Sequence, residues 1–134
     1  MLVSVCTIAR NEEEYLPHLL EDITKQDYPA EQIEVVMVDS SSTDGTRRIM
    51  ERFAEENYEE LVEINFKQMP SAMEIFSGDL TVDAMVMGMR FRFPEKKIIP
   101  GKTLIFLDEI QECQEAITSL KFWAIDNRYD VITS

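Results

Sequence analysis

Two groups of side chains in this sequence have residue types and positions that could support chemistry. The first is Asp39, which ends the apolar run Val35–Val38 and precedes a polar turn. The second is Asp108 with Glu109, directly after the apolar run Leu104–Leu107. Open α/β sheets bind ligands at the carboxyl ends of their strands. The sequence therefore predicts that these carboxylates lie along one edge of a sheet.

The elements that must position these carboxylates are predicted by apolar runs, typical of buried strands, and by apolar residues at helical spacing between them. The predicted strands are Leu2–Ala9, Ile33–Asp39, Leu61–Phe66, Leu104–Leu107 and Tyr129–Thr133. Strands that alternate with helices favour a parallel sheet with right-handed crossovers. The predicted fold is a single α/β domain over residues 1–134, a three-layer sandwich with a five-stranded, mostly parallel, Rossmann-like sheet. The expected strand order is 3-2-1-4-5, with 3-2-1-5-4 as the alternative.

Length and charge limit the classes of partner. The chain has 134 residues, which suits one domain with a real core. Its 26 acidic and 13 basic residues give a net charge of -13, which argues against nucleic acid or an anionic membrane as partner. No apolar run approaches the roughly 20 residues of a membrane span. A monomer or a weak homodimer is expected.

The two cysteines, Cys6 and Cys113, make neither a disulfide framework nor a zinc spacing. A reducing cytoplasm, or a recombinant expression host, is the expected location. Cys6 lies in an apolar run and is predicted to be buried. The first residues lack the basic start and the cleavage site of a signal peptide.

The first half of the chain, about residues 2–66, contains two matching segments, VSVCTIARNEEEYLPHLLEDITKQ and IEVVMVDSSSTDGT. On these segments it resembles family 2 glycosyltransferases of the GT-A fold. The resemblance implies that Ala9, Arg10 and Glu12 border the uridine of a nucleotide sugar, and that Asp39 accepts hydrogen bonds from its base. A carboxylate is an acceptor-only group, which suits a pyrimidine N–H.

Members of that family hold the sugar diphosphate through a metal bound by an Asp-x-Asp motif after the fourth strand. No Asp-x-Asp occurs in this sequence. The acceptor half and the catalytic base of such transferases are also missing. We therefore predict no catalytic residue and no bound cofactor, and only a residual nucleotide site at Arg10, Glu12 and Asp39.

The second half, about residues 70–134, looks like part of an AAA-type P-loop ATPase. Thr103–Glu109 resembles a Walker B strand, and Arg128–Ser134 resembles the sensor strand beside it. The resemblance implies that Asp108 supports Mg²⁺ and that Glu109 orients the attacking water, so these two form a remnant metal site. The segment Pro100–Thr103 imitates the end of a P-loop, but the first glycine of that motif is absent and the segment enters a strand.

Two resemblances that meet near residue 66, each without its catalytic complement, favour a chimeric or designed α/β domain with no evolved catalytic activity, hence not an enzyme. Its two parts are residues 1–66 and residues 67–134. Two alternatives stay open. One is a uridine-nucleotide-binding module derived from a glycosyltransferase. The other is an incomplete glycosyltransferase or ATPase that needs a missing partner.

Overall fold

The computed structural model describes Met1 and residues 3–134, with Ser4 described in its backbone alone. Leu2, which the sequence assigns to the first strand, lies outside the described residues. The elements follow one another as β1 Val3–Ala9, α1 Leu16–Thr24, β2 Ile33–Asp39, α2 Thr46–Asn57, β3 Glu60–Asn65, α3 Val82–Arg92, β4 Thr103–Asp108, α4 Gln114–Asp126 and β5 Asp130–Thr133. Short 3-10 turns occupy Ala30–Gln32, Pro70–Phe76 and Ile110–Glu112.

The five strands form one parallel sheet, as the alternation of strands and helices predicts. Its order is β1-β2-β5-β4-β3. Both predicted orders, 3-2-1-4-5 and 3-2-1-5-4, are therefore wrong, because β1 lies at an edge of the sheet and not at its centre. The alternative order did predict that β5 lies closer to the centre of the sheet than β4 does.

The inner strands of the sheet are β2, β5 and β4, and the edge strands are β1 and β3. All six residues of β4 are buried, whereas β1 exposes Cys6 and Ile8. An apolar run predicts a strand but does not say how many neighbours that strand has. The prediction that Cys6 is buried is wrong for the same reason, since its side chain lies on the uncovered face of an edge strand.

Two apolar layers cover the sheet, and the alternating side chains of β4 separate them. Leu104 and Phe106 pack with α1, α2 and β2 on one face. Ile105 and Leu107 pack on the other face, with α3, α4 and the turn Pro70–Phe76. The result is a three-layer, Rossmann-like sandwich.

The strand register brings the predicted carboxylates to one edge. Val38 of β2 and Leu107 of β4 both lie opposite Thr133 of β5. Asp39 and Asp108, one residue further along, therefore lie on either side of the end of β5. Two strand spacings separate their backbones by about 9–10 Å.

None of the helices in the described part of the chain is long and apolar enough to cross a membrane.

Candidate functional site

A cavity of about 210 Å³ opens at the carboxyl edge of the sheet, between the ends of β2 and β4. Both predicted groups of carboxylates line it. The full set of lining residues is Asp39, Ser41, Ser42, Arg47, Asp108, Glu109, Gln111 and Ser134. The register places this cavity between β2 and β4, because Asp39 and Asp108 each follow the residue that pairs with Thr133.

Asp39 is the most unusual side chain in this cavity. It is only 5% exposed. Its Oδ2 accepts a hydrogen bond from the backbone N–H of Ser42 at 3.2 Å. Its Oδ1 is buried and has no hydrogen-bond partner among the described residues. A buried acceptor without a partner costs free energy. Asp39 therefore has the capacity to accept a hydrogen bond from a donor that the described residues do not supply.

The turn after β2 is fixed by the turn after β1. The Asn11 side-chain oxygen accepts a hydrogen bond from the Thr43 N–H at 2.8 Å. In return, the Ser42 hydroxyl oxygen accepts one from the Asn11 N–H at 3.0 Å. Asn11 and Ser41 both have positive φ, 54° and 55°. These reciprocal bonds hold the backbone of Ser42 beneath the Asp39 carboxylate.

Two further acidic side chains bind the start of α2. The Glu13 carboxylate accepts a hydrogen bond from the Gly45 N–H at 2.6 Å, and the Asp44 carboxylate accepts one from the Thr46 N–H at 2.9 Å. Loss of hydration would raise the pKa of Asp44, but hydrogen bonds from Thr46 and from the Glu13 amide outweigh that effect and lower it. The sequence predicts Thr43 or Asp44 as helix cap. The capping position is in fact Gly45, and Asp44 acts from one residue earlier.

Asp108 lies across the cavity from Asp39 and is 1% exposed. The Arg47 guanidinium donates to its Oδ2 at 2.8 Å. The Glu109 N–H donates to its Oδ1 at 3.0 Å. The side chains of Asn65 and Ser134 also donate to this carboxylate. Unlike Asp39, Asp108 therefore has both of its oxygens satisfied within the chain.

Arg47 is the positively charged residue that lines the cavity. Its Nε lies 2.9 Å from Glu51 and one terminal nitrogen lies 2.9 Å from Glu63, while the other binds Asp108. Its guanidinium also lies over the Phe106 ring, 5.0 Å from the centroid. Burial alone would lower the pKa of Arg47, but Glu51 and Asp108 outweigh it and raise that pKa. Arg47 is thus a fixed counter-charge for three carboxylates.

The metal role that the ATPase resemblance implies for Asp108 and Glu109 does not fit this geometry. Among the described residues, no group of three or more histidine, cysteine or acidic side chains is arranged to hold a metal ion. Protein donors already occupy both oxygens of Asp108. The Glu109 carboxylate accepts from the Gln111 side chain.

The predicted nucleotide-binding residues are only partly brought together. Asp39 lines the cavity, whereas Arg10 and Glu12 are exposed in the neighbouring turn and do not line it. The backbone N–H of Glu12 donates to the Thr46 hydroxyl at 2.8 Å, so its contribution within the chain is to the joined turns. Sequence reasoning missed Arg47. The sequence signal for Arg47 was its position directly after Thr46, at the start of α2. This position does not distinguish Arg47 from Arg48, because the rotation of the helix decides which of the two faces the cavity.

A larger cleft lies elsewhere, away from these turns. It has a volume of about 570 Å³ and runs between the start of β3, the end of α2 and the loop around Lys96. Lys96 there forms an ion pair with Glu60 at 2.9 Å, which lowers the pKa of that carboxyl group. No unpartnered buried side-chain atom was found in this cleft among the described residues. The smaller cavity is the better candidate because Asp39, which carries such an atom, lines it.

Comparison with known proteins gives one family match and two curated relatives. Residues 4–68 match the model for glycosyl transferase family 2. Two curated relatives from two strains of Staphylococcus aureus, both named poly(ribitol-phosphate) beta-N-acetylglucosaminyltransferase TarS, are 43% identical over 53 residues. That stretch is 40% of this chain and 9% of each relative, so the chain spans only a small part of the curated relatives it matches. No solved structure matches the chain.

These matches correct one expectation from the sequence. A chimeric or designed domain without evolved catalytic activity is contradicted by the glycosyltransferase match, which covers both turns of the candidate site. The resemblance of residues 70–134 to an ATPase receives no support and stays a prediction.

Proposed function

We propose that this chain contains the nucleotide-binding part of a glycosyltransferase and binds a uridine nucleotide in the cavity beside Asp39. The observation that carries the proposal is the Oδ1 atom of Asp39, a buried acceptor without a partner among the described residues, on a residue that lines this cavity. The N–H of a uracil ring would supply the missing donor. A hydrogen bond to a charged acceptor contributes about 1.5–3 kcal/mol.

Two further features support this assignment. The cavity lies at the carboxyl edge of a parallel sheet, the usual place for ligands in open α/β folds. The residues that build the turns after β1 and β2 all fall within the range 4–68 that matches the glycosyltransferase family. The position of the cavity and the match to the glycosyltransferase family therefore both support a nucleotide as the ligand.

The size of the cavity limits how much of the nucleotide it receives. Ligand pockets commonly measure about 300–1,000 Å³, whereas this one measures about 210 Å³. We infer that it takes the base and that the ribose and phosphates extend along the exposed turn that contains Arg10 and Glu12.

The sugar-transfer step is a further proposal. The sequence has no Asp-x-Asp motif, so we infer that the chain works as an incomplete glycosyltransferase and that transfer needs residues outside it. The curated relatives are named as N-acetylglucosaminyltransferases. A uridine nucleotide that carries N-acetylglucosamine is therefore the first donor to test.

Isothermal titration calorimetry with uridine, UDP and UDP-N-acetylglucosamine, with and without Mn²⁺, tests the proposal. We expect saturable binding of at least one of these ligands. In the Asp39→Asn variant the cavity presents an amide in place of a carboxylate, and affinity should fall about 10- to 100-fold.

Asp27→Asn is the matched control, because it makes the same change at an exposed loop residue. It should bind as the unaltered protein does. Absence of binding to every uracil ligand would overturn the proposal, as would binding that Asp39→Asn leaves unchanged while the variant's circular dichroism matches the original.

A further inference from the structure

Arg10 lies exposed in the turn after β1, where Glu12, Glu13 and Glu14 follow it in the sequence. Two further groups beside this cavity that could attract an anion are already bound to carboxylates of the chain itself. Arg47 is the first. Each of its three nitrogens contacts a different carboxylate, those of Glu51, Glu63 and Asp108. A phosphate at Arg47 would have to compete with three fixed negative charges at distances of 2.8–2.9 Å.

The second group is the amino end of α2, which begins one residue before Arg47. Free N–H groups at the start of a helix commonly bind phosphate. Here the Gly45 N–H donates to Glu13 at 2.6 Å and the Thr46 N–H donates to Asp44 at 2.9 Å. Two N–H groups at the usual phosphate position therefore already donate to carboxylates of the chain, which also add negative charge there.

The remaining polar groups of the cavity favour a neutral hydrogen-bond donor. Asp39 offers a buried acceptor without a partner. Asp108 and Glu109 add negative charge to the same lining, and the chain as a whole has a net charge of -13. Each phosphate on a ligand adds charge that these carboxylates repel.

We infer that this site recognises the neutral nucleoside end of its ligand, and that in the absence of divalent metal its affinity decreases from uridine to UMP to UDP. This inference rests on the proposed function, since it concerns the same cavity and the same base. It adds that the chain contributes base recognition and opposes the phosphates.

Equilibrium binding of uridine, UMP and UDP to the full chain, in EDTA at about 20 mM and about 200 mM NaCl, tests this order. We expect uridine to bind at least threefold more tightly than UDP at low salt. The gap should narrow at high salt, because salt screens repulsion between exposed charges.

The Glu13→Gln variant provides a second readout. Glutamine keeps an acceptor for the Gly45 N–H but removes the negative charge, so affinity for UDP should rise severalfold while affinity for uridine stays the same. Asp27→Asn removes one charge at a distance and should move both affinities little.

Three results would overturn this inference. UDP that binds as tightly as uridine in EDTA, or more tightly, would overturn the inference and leave the proposed function standing. A Glu13→Gln variant that shifts uridine and UDP equally would also overturn it. Absence of binding to all three ligands would overturn the proposed function, and the inference with it.

Discussion

Two carboxylates at opposite ends of the sheet, Asp108 and Asp130, differ in how the fold compensates their charge. Asp108 ends β4 and is held by Arg47, Asn65, Ser134 and the Glu109 N–H. Asp130 begins β5, where the Tyr58 hydroxyl donates to it. Burial raises the pKa of Asp130, and Glu34 raises it further, while the hydrogen bond from Tyr58 lowers it. The charge of Asp108 should therefore stabilise the fold, and that of Asp130 should destabilise it.

We predict that Asp108→Asn destabilises the protein by about 2 kcal/mol. An amide would leave Arg47 without its buried partner and would turn a donor toward other donors. From the sequence alone we would expect no loss, because the sequence suggests no counter-charge for this residue. Urea denaturation at neutral pH measures the change, with Glu109→Gln as a more exposed control. A midpoint that is unchanged or higher in Asp108→Asn would show that the ion pair with Arg47 contributes nothing.

We predict the opposite effect for Asp130→Asn, with a defined dependence on pH. A carboxyl group whose pKa is raised by folding favours the folded state most below its unfolded pKa, about 3.9. That contribution disappears as pH rises through the raised pKa. The amide can still accept from Tyr58 and has no charge to bury. The variant should therefore be about 1 kcal/mol more stable near pH 7, a typical single-site effect, and should lose this gain near pH 4.

Asp126→Asn provides a control of opposite sign, since Arg128 lowers the pKa of Asp126. Its loss of stability should appear near neutral pH and disappear on acidification. If the difference between Asp130→Asn and the unaltered protein did not change between pH 4 and pH 7, the charge of Asp130 would have no energetic role.

At the scale of elements, the position of β1 decides which apolar side chains matter. Ile8 in β1 is 77% exposed, whereas Ile105 in β4 is 0% exposed. Both lie in apolar runs and both were predicted to lie in strands. Strand order and helix cover distinguish them. β4 has two neighbouring strands and Ile105 packs in one of the two apolar layers, whereas β1 has one neighbour and Ile8 lies in neither layer.

The same substitution at these two residues tests that order. Ile105→Ala should cost about 2–5 kcal/mol, the usual range for truncating a buried isoleucine. Ile8→Ala should cost less than about 1 kcal/mol, since most of its side chain is already in water. Urea denaturation of both variants gives the comparison. Equal and large losses would mean that β1 lies inside the sheet, as both predicted orders have it.

The sequence predicts the elements well and their arrangement less well. The bounds of β2, Ile33–Asp39, agree with the prediction, and β4 extends one residue beyond the predicted Leu104–Leu107 at each end. These strands were predictable because apolar side chains repeat locally. Strand order was not, since it depends on contacts between residues far apart in the chain. The site divides in the same way: Asp39 was predictable from its turn, whereas Arg47 becomes relevant only when α2 packs beside β4.

At the scale of the whole molecule, the proposed function expects the ligand at the carboxyl edge around Asp39 and not in the larger cleft beside Lys96. The two places lie at different ends of the sheet, because one begins where β2 and β4 end and the other lies at the start of β3. Amide signals from the two regions would therefore respond separately to a ligand.

The most direct test is a nitrogen–proton correlation spectrum of the labelled protein during titration with uridine. We predict saturable shifts of backbone amide signals around the cavity, at Asp39, Ser41, Ser42, Arg47 and Ser134, with little change at Glu60, Leu61 and Lys96. Shifts that cluster at Glu60, Leu61 and Lys96, or a spectrum that does not change up to millimolar uridine, would contradict it.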